Sequence, residues 1–150
     1  MAAFEPIRFG KYQLIERIAT GGMAEVYKAK SYGVAGFEKL LVIKRMLPHL
    51  SRNPEFVQMF INEAKIAVSL NHANIGQVYE LGVVDKDFFI AMEFIHGHDL
   101  MEVIKLGRKN DAHLSIPTGI HIITETLRGL DYAHNPVSYT HLTLPTIPLV

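Results

Sequence analysis

Apolar positions along the chain change period several times, and each change marks an element. Tyr12 to Ile18, "YQLIERI", mixes alternating and continuous apolar positions, stops short of Gly21-Gly22, and reads as a strand. Val26 to Ala29 resumes as a second strand, which sets the glycine stretch at a hairpin tip. Ser31 to Lys39 holds two glycines and reads as a longer connection. Leu40 to Ile43, "LLVI", is a short β-rich run ending in Lys44 and predicts a buried strand. From Glu55 to Leu70 the residues Phe56, Met59, Phe60, Ala64, Ala67 and Leu70 recur at helical spacing, with Asn53 as N-cap and Pro54 at the first helical position. Asn71 to Asn74 breaks that helix. Two more strands follow, "IGQVYELGVV" and "DFFIAMEFI", joined by Asp85-Lys86-Asp87. Beyond Gly97 the period turns helical: a short helix over Asp99 to Leu106, a polar loop, then a long amphipathic helix over Ile116 to Ala133. Strands, helix, strands, then helices predict an α+β fold rather than an alternating parallel sheet.

Composition narrows the class without choosing a function. A chain of 150 residues, 49% hydrophobic and 20% charged, suits one soluble globular domain with a sizeable core. Fifteen basic residues balance fifteen acidic ones, so no overall field draws it to nucleic acid or to an anionic membrane. The absence of cysteine excludes disulfides, thiol catalysis and cysteine-based zinc sites, and fits a cytoplasmic protein. The opening "MAAFEPIRFGKYQ" has no basic region followed by an apolar run, so it does not read as a signal peptide, and no apolar run is long enough to be a membrane segment. Eight histidines raise the question of a metal, yet none forms an i, i+4 pair with an acidic third ligand on a predicted helix. His96 and His98, flanking Gly97, read as a solvated loop pair.

Chemistry enters at "IATGGMAEVY", Ile18 to Tyr27. A full phosphate-covering loop follows G-x-G-x-x-G-x-V, and here the glycine slots hold Ala19, Gly21 and Ala24. Taken alone the stretch fits a phosphate clamp, a degenerate one, or a tight hairpin. Lys44 alone reads as a surface lysine closing a strand, and Glu63 alone as an ordinary helix-face glutamate. Together, 19 residues apart, they give a reason for a charge on the helix to face the sheet.

In this order the pieces resemble the N-terminal lobe of a protein kinase, in particular the bacterial Hanks-type Ser/Thr kinases, from Tyr12 through about His134 with one short insertion before Lys44. Leu41-Val42-Ile43-Lys44 resembles the V-A-I-K strand, "NHANI" the H-P-N-I turn with Ala73 in place of proline, and "AMEF" the hinge. The resemblance implies a five-stranded antiparallel sheet with one long helix, followed by the first helices of an incomplete second lobe. It also implies ATP and Mg²⁺ as cofactors, with a protein substrate in the full-length parent. On the matching positions, Lys44 would hold the α- and β-phosphates and pair with Glu63, while Ala19, Gly21, Gly22 and Ala24 would form a stiffer than usual clamp. Ile18, Val26 and Val42 would cover the adenine ring, Met92 would be the gatekeeper, and backbone groups of Glu93 and Ile95 would bond adenine. Asp99 can reach the ribose hydroxyls or cap the helix beginning at Leu100; the two roles are compatible.

The same reading divides the chain into an N-terminal extension (1–9), the N-lobe (10–95), the hinge exit with the first C-lobe helices (96–136) and an atypical, non-native tail (137–150). After "GLDYAH" the family continues into H-R-D-x-x-x-x-N and later D-F-G. Here Asn135-Pro136-Val137-Ser138 and "YTHLTLPTIPLV" stand instead. The chain as written is therefore expected not to transfer phosphate by itself, and to be a fragment running into foreign sequence near Asn135 to Ser138. The rival is a pseudokinase-like, non-catalytic nucleotide-binding or interaction module. Either way Ile120, Ile123, Leu127 and Leu130 form an apolar stripe without a partner in the chain.

Overall fold

The structure, a computed structural model, describes residues 4–33 and 36–135. The non-native tail expected at 137–150 lies outside the described residues. In chain order the elements are β1 (Ile7–Phe9), β2 (Tyr12–Thr20), β3 (Ala24–Tyr32), β4 (Glu38–Met46), α1 (Pro54–Val68), β5 (Val78–Val84), β6 (Asp87–Glu93), α2 (Leu100–Lys109) and α3 (Ile116–His134). The strands form one antiparallel sheet in the order β1-β2-β3-β4-β6-β5. That is one strand more than the five expected. Gly10, at φ +56°, turns the chain back so that Ile7 to Phe9 pair with Leu14 to Tyr12. Three residues are too few to leave a periodic signal, and only the pairing reveals them.

Alternation along the strands sends residues to two different cores. Tyr12, Leu14, Tyr27, Ala29, Leu41, Ile43, Phe89 and Ala91 pack with Phe9 on the outer face. Phe89 sits edge-on to both Phe9 and Tyr12, with ring centroids 5.4 and 5.6 Å away. The Tyr12 hydroxyl donates to Glu80 at 2.7 Å; burial and then that carboxylate push its phenol far above the usual tyrosine range. On the inner face Ala24, Met46, Val78 and Ile90 meet Phe60 and Ala64 of α1.

Helix α1 starts where the sequence signals it. Asn53 accepts from the Glu55 N–H at 2.9 Å and Pro54 occupies the first turn, where its missing N–H costs nothing. Its last turn is closed by Ser69, whose N–H reaches Ile66 and Ala67. The following loop then docks on α3. Asn74 Nδ2 donates to the Glu125 carbonyl (2.8 Å) and carboxylate (2.7 Å), and the His72 ring lies 5.1 Å from that of Tyr132. Gly129 permits this approach, because a Cβ there would stand 3.3 Å from the Asn74 carbonyl oxygen. Away from this dock the expected stripe is open, with Ile120 60%, Ile123 62%, Leu127 58% and Leu130 47% exposed. No helix among the described residues is long and apolar enough to cross a membrane.

Candidate functional site

The inner face of the sheet carries the chemistry. Strand pairing sets Val26 opposite Lys44, Lys28 opposite Val42, and Val42 opposite Met92. Because side chains alternate, Val26, Val42, Lys44 and Met92 share the face on which α1 packs. Helix α1 covers the Ala24, Met46 and Ile90 end of that face. The strip of Val26, Val42 and Met92 continues toward the end of β6, an apolar shelf beside a cation.

Lys44 supplies that cation. Its Nζ lies 2.5 Å from Glu63 Oε1 and 5.9 Å from the centre of the Phe60 ring. Phe60 is fully buried, so the helix that presents Glu63 is anchored one turn away by core packing. The side chain of Glu63 is still 52% exposed, against 25% for Lys44, which leaves the pair facing open space rather than sealed in the interior. A fixed ammonium on an open apolar shelf is suited to an anion attached to a flat, apolar group.

At the β2–β3 hairpin, the Gly21 N–H donates to the Ala24 carbonyl at 2.8 Å, while Ala19 pairs with Val26. Ile18 falls inside a bulge between Arg17 and Ala19, which re-aims it, and it is 50% exposed. Neither Gly21 nor Gly22 adopts a left-handed conformation. A Cβ would make only ordinary contact at Gly21 and would meet nothing at Gly22. The fold itself therefore makes no demand for glycine here; a demand can come only from something approaching from outside.

The hinge segment is more committed than the sequence suggested. The Glu93 N–H donates to Gln77 at 2.8 Å, and its carboxylate accepts from the Gln77 N–H at 3.1 Å. Of its backbone groups only the carbonyl can be offered to a ligand. Ile95 is exposed and touches the position of Gly76. Asp99 accepts from the Glu102 N–H at 2.7 Å as the N-cap of α2, and one carboxylate oxygen is thereby engaged. His98 pairs with Glu102 at 2.9 Å, and His96 stands edge-on to Phe94.

Val26, Val42, Lys44, Glu63 and Met92 are thus brought together directly, with Ala19, Gly21, Gly22 and Ala24 at the hairpin beside them. Ile95 and Asp99 lie on the segment leaving the sheet. Sequence reasoning named Phe94 only as part of the hinge and gave no role to Lys28; the two meet at the outer end of the shelf. A basic residue at even spacing from Val26 was the only signal for them. Two cavities lie elsewhere, one of about 440 Å³ beside α2 around Val103 and Leu114, the other of about 300 Å³ on the outer face around Tyr12 and Phe89.

Residues 12–141 match the family model for the protein kinase domain. The tyrosine-protein kinase MasK of Myxococcus xanthus is 42% identical over 126 residues, covering 84% of this chain and 20% of that protein. The probable serine/threonine-protein kinase pknA2 of Bifidobacterium longum is 32% identical over 139 residues, covering 89% and 17%. Among solved structures, the kinase domain of Mycobacterium tuberculosis PknI superposes with a TM-score of 0.65 at 28% identity, covering 89% of this chain and 53% of that one. The chain spans about a fifth of the length of these curated relatives, at 20% and 17%.

Proposed function

The chain belongs to the protein kinase family, and from that premise we propose that it is the ATP-binding portion of a protein Ser/Thr kinase. The observation that carries the reading is the Lys44–Glu63 pair at 2.5 Å, set beside the apolar strip of Val26, Val42 and Met92. In this reading the shelf covers the adenine ring, Ile18 extends it, and Lys44 holds the phosphates as a compact point charge. The hairpin of Ala19, Gly21, Gly22 and Ala24 lies over the phosphate chain. The Glu93 carbonyl and the Ile95 backbone bond the base edge, and the unengaged oxygen of Asp99 serves the ribose.

The residues fit the nucleotide but not its metal. Among the described residues no group of three His, Cys, Asp or Glu side chains is placed to hold an ion. Mg²⁺, which neutralises the γ-phosphoryl charge in this family, belongs to motifs that these 150 residues do not contain. Phosphoryl transfer to a hydroxyl is accordingly a property of the longer parent, and this chain alone holds nucleotide without transferring phosphate.

Preference for Ser/Thr hydroxyls rests on the "GGMAEVY" resemblance and on relatives named as serine/threonine kinases, pknA2 and PrkC of Bacillus subtilis among them. MasK, named as a tyrosine kinase, supplies the contrast. Phosphoamino-acid analysis of the parent's products decides between the hydroxyls. The binding step is tested by Mg-ATP titration of this chain: ligand at a hundredfold excess over Kd raises apparent stability by about 2.7 kcal/mol. A folded chain that shows no shift overturns the reading.

A further inference from the structure

Lys28 has an aromatic partner in place of an acidic one. Among the charged residues near it, Lys30 pairs with Glu38 at 2.7 Å and Lys44 with Glu63. Lys28 has no carboxylate within 4 Å among the described residues. Its Nζ instead stands 4.7 Å from the centre of the Phe94 ring. The opposite edge of the arrangement is fixed as well: His96 meets Phe94 at 4.7 Å and 84°, a perpendicular contact.

Register explains where this contact falls. Lys28 opposes Val42, and Val42 opposes Met92, so the three side chains cross the inner face in one row. Phe94 follows Met92 by two residues and continues that face beyond the end of β6. The Lys28–Phe94 contact therefore bridges from β3 directly to the hinge segment, passing over β4. It closes the outer end of the apolar shelf.

We infer that Lys28 and Phe94 are positioning residues that set the spacing between the β3 roof and the hinge, and so the slot available to a planar purine base. This rests on the nucleotide-binding reading above. The physical basis is the electrostatic attraction of an ammonium to the negative face of an aromatic ring. Once the ammonium is gone, β3 and the hinge are joined at this end only through the backbone ladders of β4 and β6, without a side-chain tie across the face, and the slot widens.

Calorimetric titration of this chain with Mg-ATP tests the inference, alongside thermal melting of each variant. Lys28→Met weakens binding by about two- to fivefold, the range of an exposed cation–π contact, with little change in melting temperature. Lys28→Arg, which keeps the cation, restores it. Phe94→Leu weakens binding equally, and the double variant is no weaker than either single one. That last result separates the contact from a general attraction between Lys28 and the phosphates, for which the losses would add. Additive losses, or unchanged binding in Lys28→Met while Lys44→Met is impaired, overturn this inference and leave the nucleotide site standing. A parallel fall in melting temperature reduces the contact to a structural one and also overturns it. A folded wild-type chain that binds no Mg-ATP sinks both readings together.

Discussion

Lys44 on β4 and Glu63 on α1, 19 residues apart, form a 2.5 Å ion pair that joins the sheet to its helix. Its partial exposure limits what it adds to stability, since exposed pairs contribute about 0–1 kcal/mol. Lys44→Met and Glu63→Gln are therefore expected to shift stability by less than about 1 kcal/mol. Lys44→Met should weaken Mg-ATP binding about tenfold or more, the worth of one charged hydrogen bond. Melting and titration of the same samples separate the two effects.

The glycines divide by what surrounds them. Gly22 meets nothing where a Cβ would go, so Gly22→Ala should leave stability unchanged or raise it by about 0.4–1 kcal/mol through the unfolded state. Gly21→Ala should leave the melting temperature intact yet lower Mg-ATP affinity. Gly82 is different: its Cβ would stand 2.5 Å from the Phe89 ring, which Phe9 and Tyr12 hold in place. Gly82→Ala is expected to cost about 1–3 kcal/mol in denaturant unfolding.

Phe60 is fully buried between α1 and the sheet, beneath Lys44. Phe60→Ala should cost about 3–5 kcal/mol. Because α1 presents Glu63, nucleotide affinity should fall with it, and Phe60→Leu should recover most of both. Unfolding curves paired with Mg-ATP titrations provide the check.

The dock between the α1–β5 loop and α3 should be acid-sensitive. The hydrogen bond from Asn74 holds the Glu125 carboxyl below the usual glutamate range, with Arg128 and His121 adding to the effect and desolvation opposing it. A depressed carboxyl stabilises the fold above its unfolded value, about 4.3, and that contribution disappears as pH falls through the lower folded value. Asn74→Ala should therefore lower stability near neutrality and flatten its decline in acid. Melting curves taken from about pH 6 down to about pH 3 show whether the two proteins converge.

The open stripe on α3 should make the isolated chain self-associate. Ile116 is 80% exposed, and Ile120, Ile123 and Leu127 continue its face. Ile120→Lys combined with Leu127→Lys should raise the monomer fraction in light scattering without changing the melting of the sheet. An equally aggregated double variant would place the sticky surface elsewhere.

Much of this architecture was legible because it is local. Asn53 and Pro54 announce α1, the 3.6-residue period carries it through to Val68, and the apolar run Leu40 to Ile43 marks a buried strand, of which Leu41, Val42 and Ile43 are buried. Lys44 and Glu63 were legible as a pair because their types and separation match a known family pattern. β1 was not, since three residues leave no period. The Glu93–Gln77 exchange and the Lys28–Phe94 bridge were equally hidden, because strand register, not spacing along the chain, decides which side chains meet.

By itself the sequence determined the order of the longer elements, the apolar stripes of α1 and α3, and the candidacy of Lys44, Glu63 and the glycine hairpin. Those properties follow from neighbours within a few residues. Only the tertiary structure decided that Val26, Val42, Lys44 and Met92 lie in register on one face, and that the hairpin glycines meet no steric demand from the protein. It also decided that Asp99 caps a helix and that Asn74 hydrogen-bonds Glu125 of α3. The shared face and the Asn74 dock depend on groups far apart in the chain, and pairing and packing, which depend on the whole fold, are what bring them within bonding distance.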